Sequence, residues 1–167
     1  MEDNIDPAAY ISRLPPRFNW LLDCLYADNG AHCTQAQAVE FAVLCAESVL
    51  PVLERIKPNE LLPRKAIESA RNWLLNPTDE LAKKASKVCL ECTYVTDSLT
   101  YNKKHIPAAM ASMSASYAAA AAGTASCSLV YAELAYTCAR RVTDDTVSFS
   151  VLIEKLNRLS VSGELGI

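Results

Sequence analysis

Apolar positions recur along this chain at the three- and four-residue spacing of a helix face, and nowhere do they alternate with polar residues long enough to suggest a strand. Phe18, Leu21, Leu22 and Leu25 predict a helix over Arg17–Asn29, ended by the turn chemistry of Asp28-Asn29-Gly30. Thr34 is the expected cap of the next helix, whose core face reads Val39, Val43, Ala46, Leu50 and Leu53. Pro51 removes a backbone donor inside that run, so a kink or break is expected there. Lys57-Pro58-Asn59 reads as a turn with Asn59 as a candidate cap. Leu62, Ile67, Ala70, Trp73 and Leu74 then mark a third helix. Asn76-Pro77 reads as a boundary with Asn in the capping role and Pro at the first helical position. The helix after it runs from Thr78 to about Leu99, with Leu81, Ala85, Val88, Cys92 and Val95 as its apolar stripe and Lys83, Lys84 and Lys87 off it.

The centre has a different texture. From His105 to Ala139 the only residue ionised at neutral pH is Glu133, and nine of the fifteen residues from Ala108 to Ala122 are alanine. Alanine loses no side-chain entropy in a helix and lets a neighbour approach closely, so this region reads as the buried helix or helices of a bundle. Gly123 is expected to kink or divide it. A last amphipathic helix over about Asp144–Ser160 carries Val147, Val151, Leu152, Leu156 and Leu159, with Thr143 or Asp144 as its cap. Residues 1–15 read as a loose arm with a short helix near Pro7–Arg13, and 163–167 as a tail. The expectation is an all-α fold: one domain over 16–162, a bundle of about six to seven helices with an Ala-rich central helix or hairpin. Only four glycines and no proline after Pro107 leave room for it.

Composition narrows the classes. Hydrophobic residues make up 51% and charged residues 21% of 167, ordinary for a globular chain and wrong for a disordered one. The net charge of −3 argues against nucleic acid as partner. Residues 51–104 carry ten bases and seven acids, too slight an excess to name a partner. The uncharged centre is long enough to cross a bilayer but is built of Ala, Ser and Thr instead of Leu, Ile and Phe, so no membrane association is expected. The start, Met1-Glu2-Asp3-Asn4, lacks the basic region and apolar stretch of a signal peptide, which makes the cytoplasm the expected compartment and the seven cysteines mostly free thiols.

Candidate chemistry is sparse. Cys89-Leu90-Glu91-Cys92 puts two thiols on one helix face, but the chain has no second such pair and only two histidines, His32 and His105, at no ligand-like spacing. Buried cysteines packing as small apolar groups are the plainer reading, with a metal or redox pair as the alternative. Cys127 and Cys138 would share a face if one helix held both. Glu133, with Tyr131, Tyr136 and His105, reads as a candidate buried polar site, and His105 could serve in acid–base work; the plain alternatives are a carboxylate paired across helices or facing water, and a structural histidine at a helix start. Tyr94, Tyr101 and Tyr117 complete a polar-tipped aromatic set. No G-x-S-x-G, phosphate-binding loop, dinucleotide fingerprint or H-E-x-x-H occurs. No catalytic residue, metal or cofactor is assigned.

Two segments carry a resemblance. Cys45-Ala46-Glu47-Ser48-Val49-Leu50-Pro51-Val52-Leu53-Glu54, followed by Pro63-Arg64-Lys65-Ala66-Ile67-Glu68-Ser69-Ala70-Arg71-Asn72-Trp73, is similar to two segments of the helical immunity-protein family of bacterial polymorphic-toxin systems. The alanine-rich stretch is similar in character to the second half of that family, though Ser112, Ser114 and Ser116 stand where the family is richer in histidine and glycine. The resemblance implies a small helical protein that binds a toxin or a defence-system component, and it identifies no catalytic residues. The expected docking surface is the exposed helix 64–75, with Arg64, Lys65, Glu68 and Arg71, together with the acidic N-terminal region, and Glu68 is placed to pair with Arg71 one turn on. Two other readings stay open: a self-associating helical scaffold or small-ligand sensor, and a thiol- or metal-dependent protein using Cys89, Cys92, His105 or Glu133.

Overall fold

The computed structural model describes residues 34–142, and within them every regular element is helical. We number the α-helices α1 (Gln35–Ile56), α2 (Leu62–Leu75), α3 (Asp79–Thr100), α4 (Ile106–Gly123) and α5 (Ser128–Val142). Short 3-10 turns, Lys103–His105 and Ala125–Cys127, join the last three. The fold is all-α. The helices expected over Pro7–Arg13, Arg17–Asn29 and Asp144–Ser160 lie outside the described residues.

Local chemistry sets the boundaries. Thr34 starts α1 through a reciprocal capping box: its hydroxyl accepts from the Gln37 N–H at 3.2 Å, and the Gln37 side chain accepts from the Thr34 N–H at 2.9 Å. Pro51 does not end the helix. It sits exposed inside α1, which runs on to Ile56. The bond Pro51 fails to donate is one of many, and the buried residues on either side of it, Leu50 and Leu53, hold the last turn to the core. Asn59 is not a cap. α2 begins after Leu61 with Pro63 in its first turn, and the Glu60 carboxylate accepts from the Leu62 N–H at 3.1 Å. Asn76 closes α2, its N–H reaching the Asn72 carbonyl, and the cap of α3 is Thr78, whose hydroxyl accepts from the Leu81 N–H.

α4 is the axis. It packs against all four other helices, while α1, α2 and α3 follow one another around it and α5 closes on α1. Twelve of its eighteen residues are buried, nine of them alanines. With so few side-chain atoms on α4, its neighbours come in close. Gly123 shows how close: a Cβ there would stand 2.1 Å from Ser86 Oγ and 3.1 Å from the Ser86 backbone nitrogen. Gly123 is the last residue of α4, its missing side chain lets α3 approach there, and the central stretch divides into two helices after it.

The larger core side chains come from α1, where Val39, Val43, Leu44, Val49 and Leu53 are fully enclosed. α1 is long and apolar enough to cross a membrane, yet 67% of that stretch is buried inside the bundle.

Candidate functional site

Three places hold the chemistry singled out above: the α3–α4 contact, the α5 surface, and the cleft between α1 and α2. The first is a line of hydroxyls and thiols. Thr96 Oγ1 donates to Ser112 Oγ at 2.9 Å, and Ser116 Oγ donates to the Cys89 carbonyl at 3.1 Å. Cys92 Sγ lies 3.4 Å from the Ser112 carbonyl oxygen, Cys89 Sγ 3.3 Å from Ser116 Oγ. On the other side of α4, Ser114 Oγ donates to the Ala135 carbonyl of α5 at 2.8 Å. Small polar side chains thus satisfy one another across close-packed helices, each bond contributing about 1 kcal/mol and none leaving a buried donor stranded. Thr96 belongs to the buried stripe of α3, whereas Leu81, Val88 and Val95 are half-buried; the true stripe turns toward Ala85, Cys92, Thr96 and Leu99.

Burial holds Cys92, Cys138 and Cys45 protonated. Burial pushes Cys92 up to about 11, a Ser112 hydrogen bond offsetting part of it, and burial pushes Cys138 up to about 11 as well. Burial drives Cys45 upward too. A thiolate is the nucleophile and the metal ligand, so these three are packing residues at neutral pH. Cys45, Cys89, Cys92, Cys127 and Cys138 are all free thiols. Cys127 sits in the turn before α5, so it does not share a helix with Cys138. Among the described residues no group of three or more His, Cys, Asp or Glu stands close enough to hold a metal ion.

The expected buried polar site does not form. Glu133 is exposed. The buried residues of α5 are Ser128, Ala132, Ala135, Cys138, Ala139 and Val142, and Glu133 lies with Val130 and Thr137 on the opposite side. Tyr131 stacks on Tyr117 of α4 with centroids 6.1 Å apart, and Tyr136 meets Phe41 of α1 at 5.9 Å, so the two tyrosines serve different contacts. His105 is half-buried in the turn before α4, its N–H bonded to the Asn102 carbonyl. Nor is the wider tyrosine set one cleft, because Tyr94 and Tyr101 point outward from α3.

The α1–α2 cleft is the built site. Glu47 and Glu54 lie seven residues apart on α1, and Arg64 and Arg71 seven apart on α2; two helical turns return each pair to one face. The helices run antiparallel, so the residues match crosswise. Arg71 closes on Glu47, both Nε and a terminal guanidinium nitrogen 2.5 Å from Oε1, and Arg64 donates to Glu54. Leu50, Pro51 and Ile67 form an apolar floor between the two pairs, and Glu68 completes the lining of a cleft of about 430 Å³. Glu68 and Lys65 are exposed and form no ion pair among the described residues, because Arg71 turns toward Glu47 instead of back to Glu68. Sequence reasoning found Arg64, Glu68 and Arg71 but missed Glu47, Glu54, Leu50 and Pro51 as their partners. The matching seven-residue spacings of opposite charge were the available signal.

Fixed guanidinium–carboxylate pairs over an apolar floor can hold a polypeptide by exchanging partners with its charged side chains while an apolar side chain fills the middle. Among the described residues, the lining of the cleft holds no thiol, hydroxyl or imidazole. The fold and the site together define an all-α bundle with a charged inter-helix cleft. No family model, curated protein or solved structure matches the chain.

Proposed function

We propose that this chain is a non-catalytic protein-binding module of the immunity type, an inhibitor or adaptor in bacterial or phage conflict that acts in the cytoplasm on a toxin or defence-system component. The observation that carries the reading is the α1–α2 cleft. The two segments that resemble the immunity family, Cys45–Glu54 and Pro63–Trp73, are the two walls of it, and their charged residues face each other across it. The cleft is the centre of the docking face; a stable complex covers about 800 Å² on each partner, so the outer faces of both helices take part. The bundle in this reading has six to seven helices, the five described and those expected near the two ends of the chain. Co-expression with the product of the neighbouring gene tests it. The expected result is a one-to-one complex on gel filtration that is lost when Arg64→Glu and Glu68→Arg are combined, with the thermal midpoint of the free protein lowered by no more than about 2 °C, the cost of the exposed Arg64–Glu54 pair. Failure of the unaltered chain to form any such complex overturns it.

A second reading, self-association as a scaffold, is favoured by exposed apolar side chains on α3 and just after it: Leu90, Tyr94 and Tyr101 stand 67%, 76% and 91% exposed. A concentration-independent dimer in light scattering that dissociates on Tyr94→Glu supports it, and a monomer at all concentrations removes it.

A further inference from the structure

α3 carries a stripe of exposed residues on its solvent side. Lys83, Lys87, Leu90, Tyr94, Asp97 and Tyr101 recur at alternating four- and three-residue steps, the spacing of a coiled-coil seam, and all six are exposed. At that spacing they lie on the side of the helix opposite Ala85, Cys92, Thr96 and Leu99, which face the core. Tyr101 follows the last helical residue but keeps helical backbone angles, so it holds its place in the stripe. Leu90 and Tyr94, 67% and 76% exposed, form the apolar middle. Lys83, Lys87 and Asp97 form no ion pair among the described residues.

We propose that this stripe is the interface of a two-fold homodimer, in which α3 pairs antiparallel with α3 of a second copy, Leu90 opposite Tyr94. The inference rests on the self-association reading of this face, and it uses none of the residues that line the α1–α2 cleft. The order of the stripe selects the occupant. Its steps run four, three, four, three, four, the same from either end, so an antiparallel copy meets it residue for residue. With Leu90 set against Tyr94, Lys87 falls opposite Asp97 and Lys83 opposite Tyr101. The two-fold axis makes each of these contacts twice. Opposite charges then flank an apolar centre, and at each end an ammonium meets an aromatic ring, whose face attracts cations. Parallel pairing would set each residue on its own counterpart, Lys83 on Lys83, Lys87 on Lys87 and Asp97 on Asp97, with like charges facing throughout. A uniformly acidic surface would match the lysines but repel Asp97. The mixed stripe is complementary to its own inverse.

The test is sedimentation equilibrium of the full chain, unaltered and with Lys87→Glu, Asp97→Lys, and both together. Both positions are exposed, and circular dichroism checks that each variant stays helical. The unaltered chain is expected to dimerise. Each single reversal places two like-charge pairs in the interface and is expected to weaken the dimer by about tenfold or more. The combined swap restores both pairs with their signs exchanged and is expected to return the dissociation constant to within about threefold of the unaltered value. An unaltered chain that stays monomeric overturns the self-association reading and this proposal with it. A dimer that keeps its affinity in both single variants, or that the swap fails to restore, overturns the antiparallel pairing and leaves self-association standing.

Discussion

α4 and the α1–α2 cleft solve opposite packing problems. α4 is held by the near absence of side chains: alanines and serines bring four helices close around it, and the polar atoms that remain are matched hydroxyl to hydroxyl or hydroxyl to carbonyl. The α1–α2 contact keeps its distance at its outer edge, where long charged side chains span an open cleft. The first arrangement tolerates no added atom and specifies the fold. The second is adjustable, because its ion pairs can be exchanged at little cost, and adjustable surfaces are where binding is found.

This contrast orders the expected effects of change. The largest is on α4. Ala115→Leu adds three carbons at a fully buried position and is expected to cost about 3 kcal/mol in urea denaturation; a loss below about 0.5 kcal/mol would mean that the axis is loosely packed. Next comes alkali. Cys92 and Cys138 have folded values near 11 against 9.0 for an unhindered thiol. The folded state therefore holds protons that the unfolded state has released, so their contribution is intact below pH 9 and is lost as pH rises from 9 through 11. Cys92 alone accounts for roughly 2 kcal/mol of that decline, and Cys92→Ala is expected to flatten the slope of stability against pH in this window. Gly123→Ala follows. The new methyl meets Ser86, whose hydroxyl can rotate away while its backbone must shift, and a loss of about 1 kcal/mol is expected, with Ser86→Gly relieving it. The cleft pairs come last. Double-mutant cycles should give about 1 kcal/mol for Arg71–Glu47, whose side chains are 33% and 17% exposed, and a few tenths for the wetter Arg64–Glu54 pair at 51% and 33%.

The same contrast explains what was legible in the sequence. The all-α class, the Thr34 cap, the α3 boundaries to within a residue and the division at Gly123 all follow from local signals: periodicity, capping chemistry and breakers. The errors came where tertiary packing outweighs a local rule. Pro51 reads as a breaker, but flanking burial carries the helix through it. Asn59 reads as a cap, but Glu60 meets the free N–H. The apolar composition around Glu133 points to burial, but the three- and four-residue spacing of Ala132, Ala135 and Ala139 turns it to solvent, the plainer of its two readings. Thr96 is absent from the apolar stripe that the α3 sequence shows, because the partner that lets it be buried, Ser112, lies sixteen residues on. In the cleft one wall was visible and the other was not: Arg71 had an obvious neighbour in Glu68, whereas its actual partner, Glu47, is twenty-four residues away.

The central claim is that the adjustable region, not α4 or the aromatic face of α3, meets the partner. Titration calorimetry of the chain against the product of the neighbouring gene measures it directly, comparing unaltered protein with the Arg64→Glu, Glu68→Arg variant and with Tyr94→Ala. A loss of at least tenfold in affinity for the cleft variant, with Tyr94→Ala within twofold of the unaltered chain, is the predicted result. An unchanged affinity for the cleft variant, or a loss confined to Tyr94→Ala, would contradict the account.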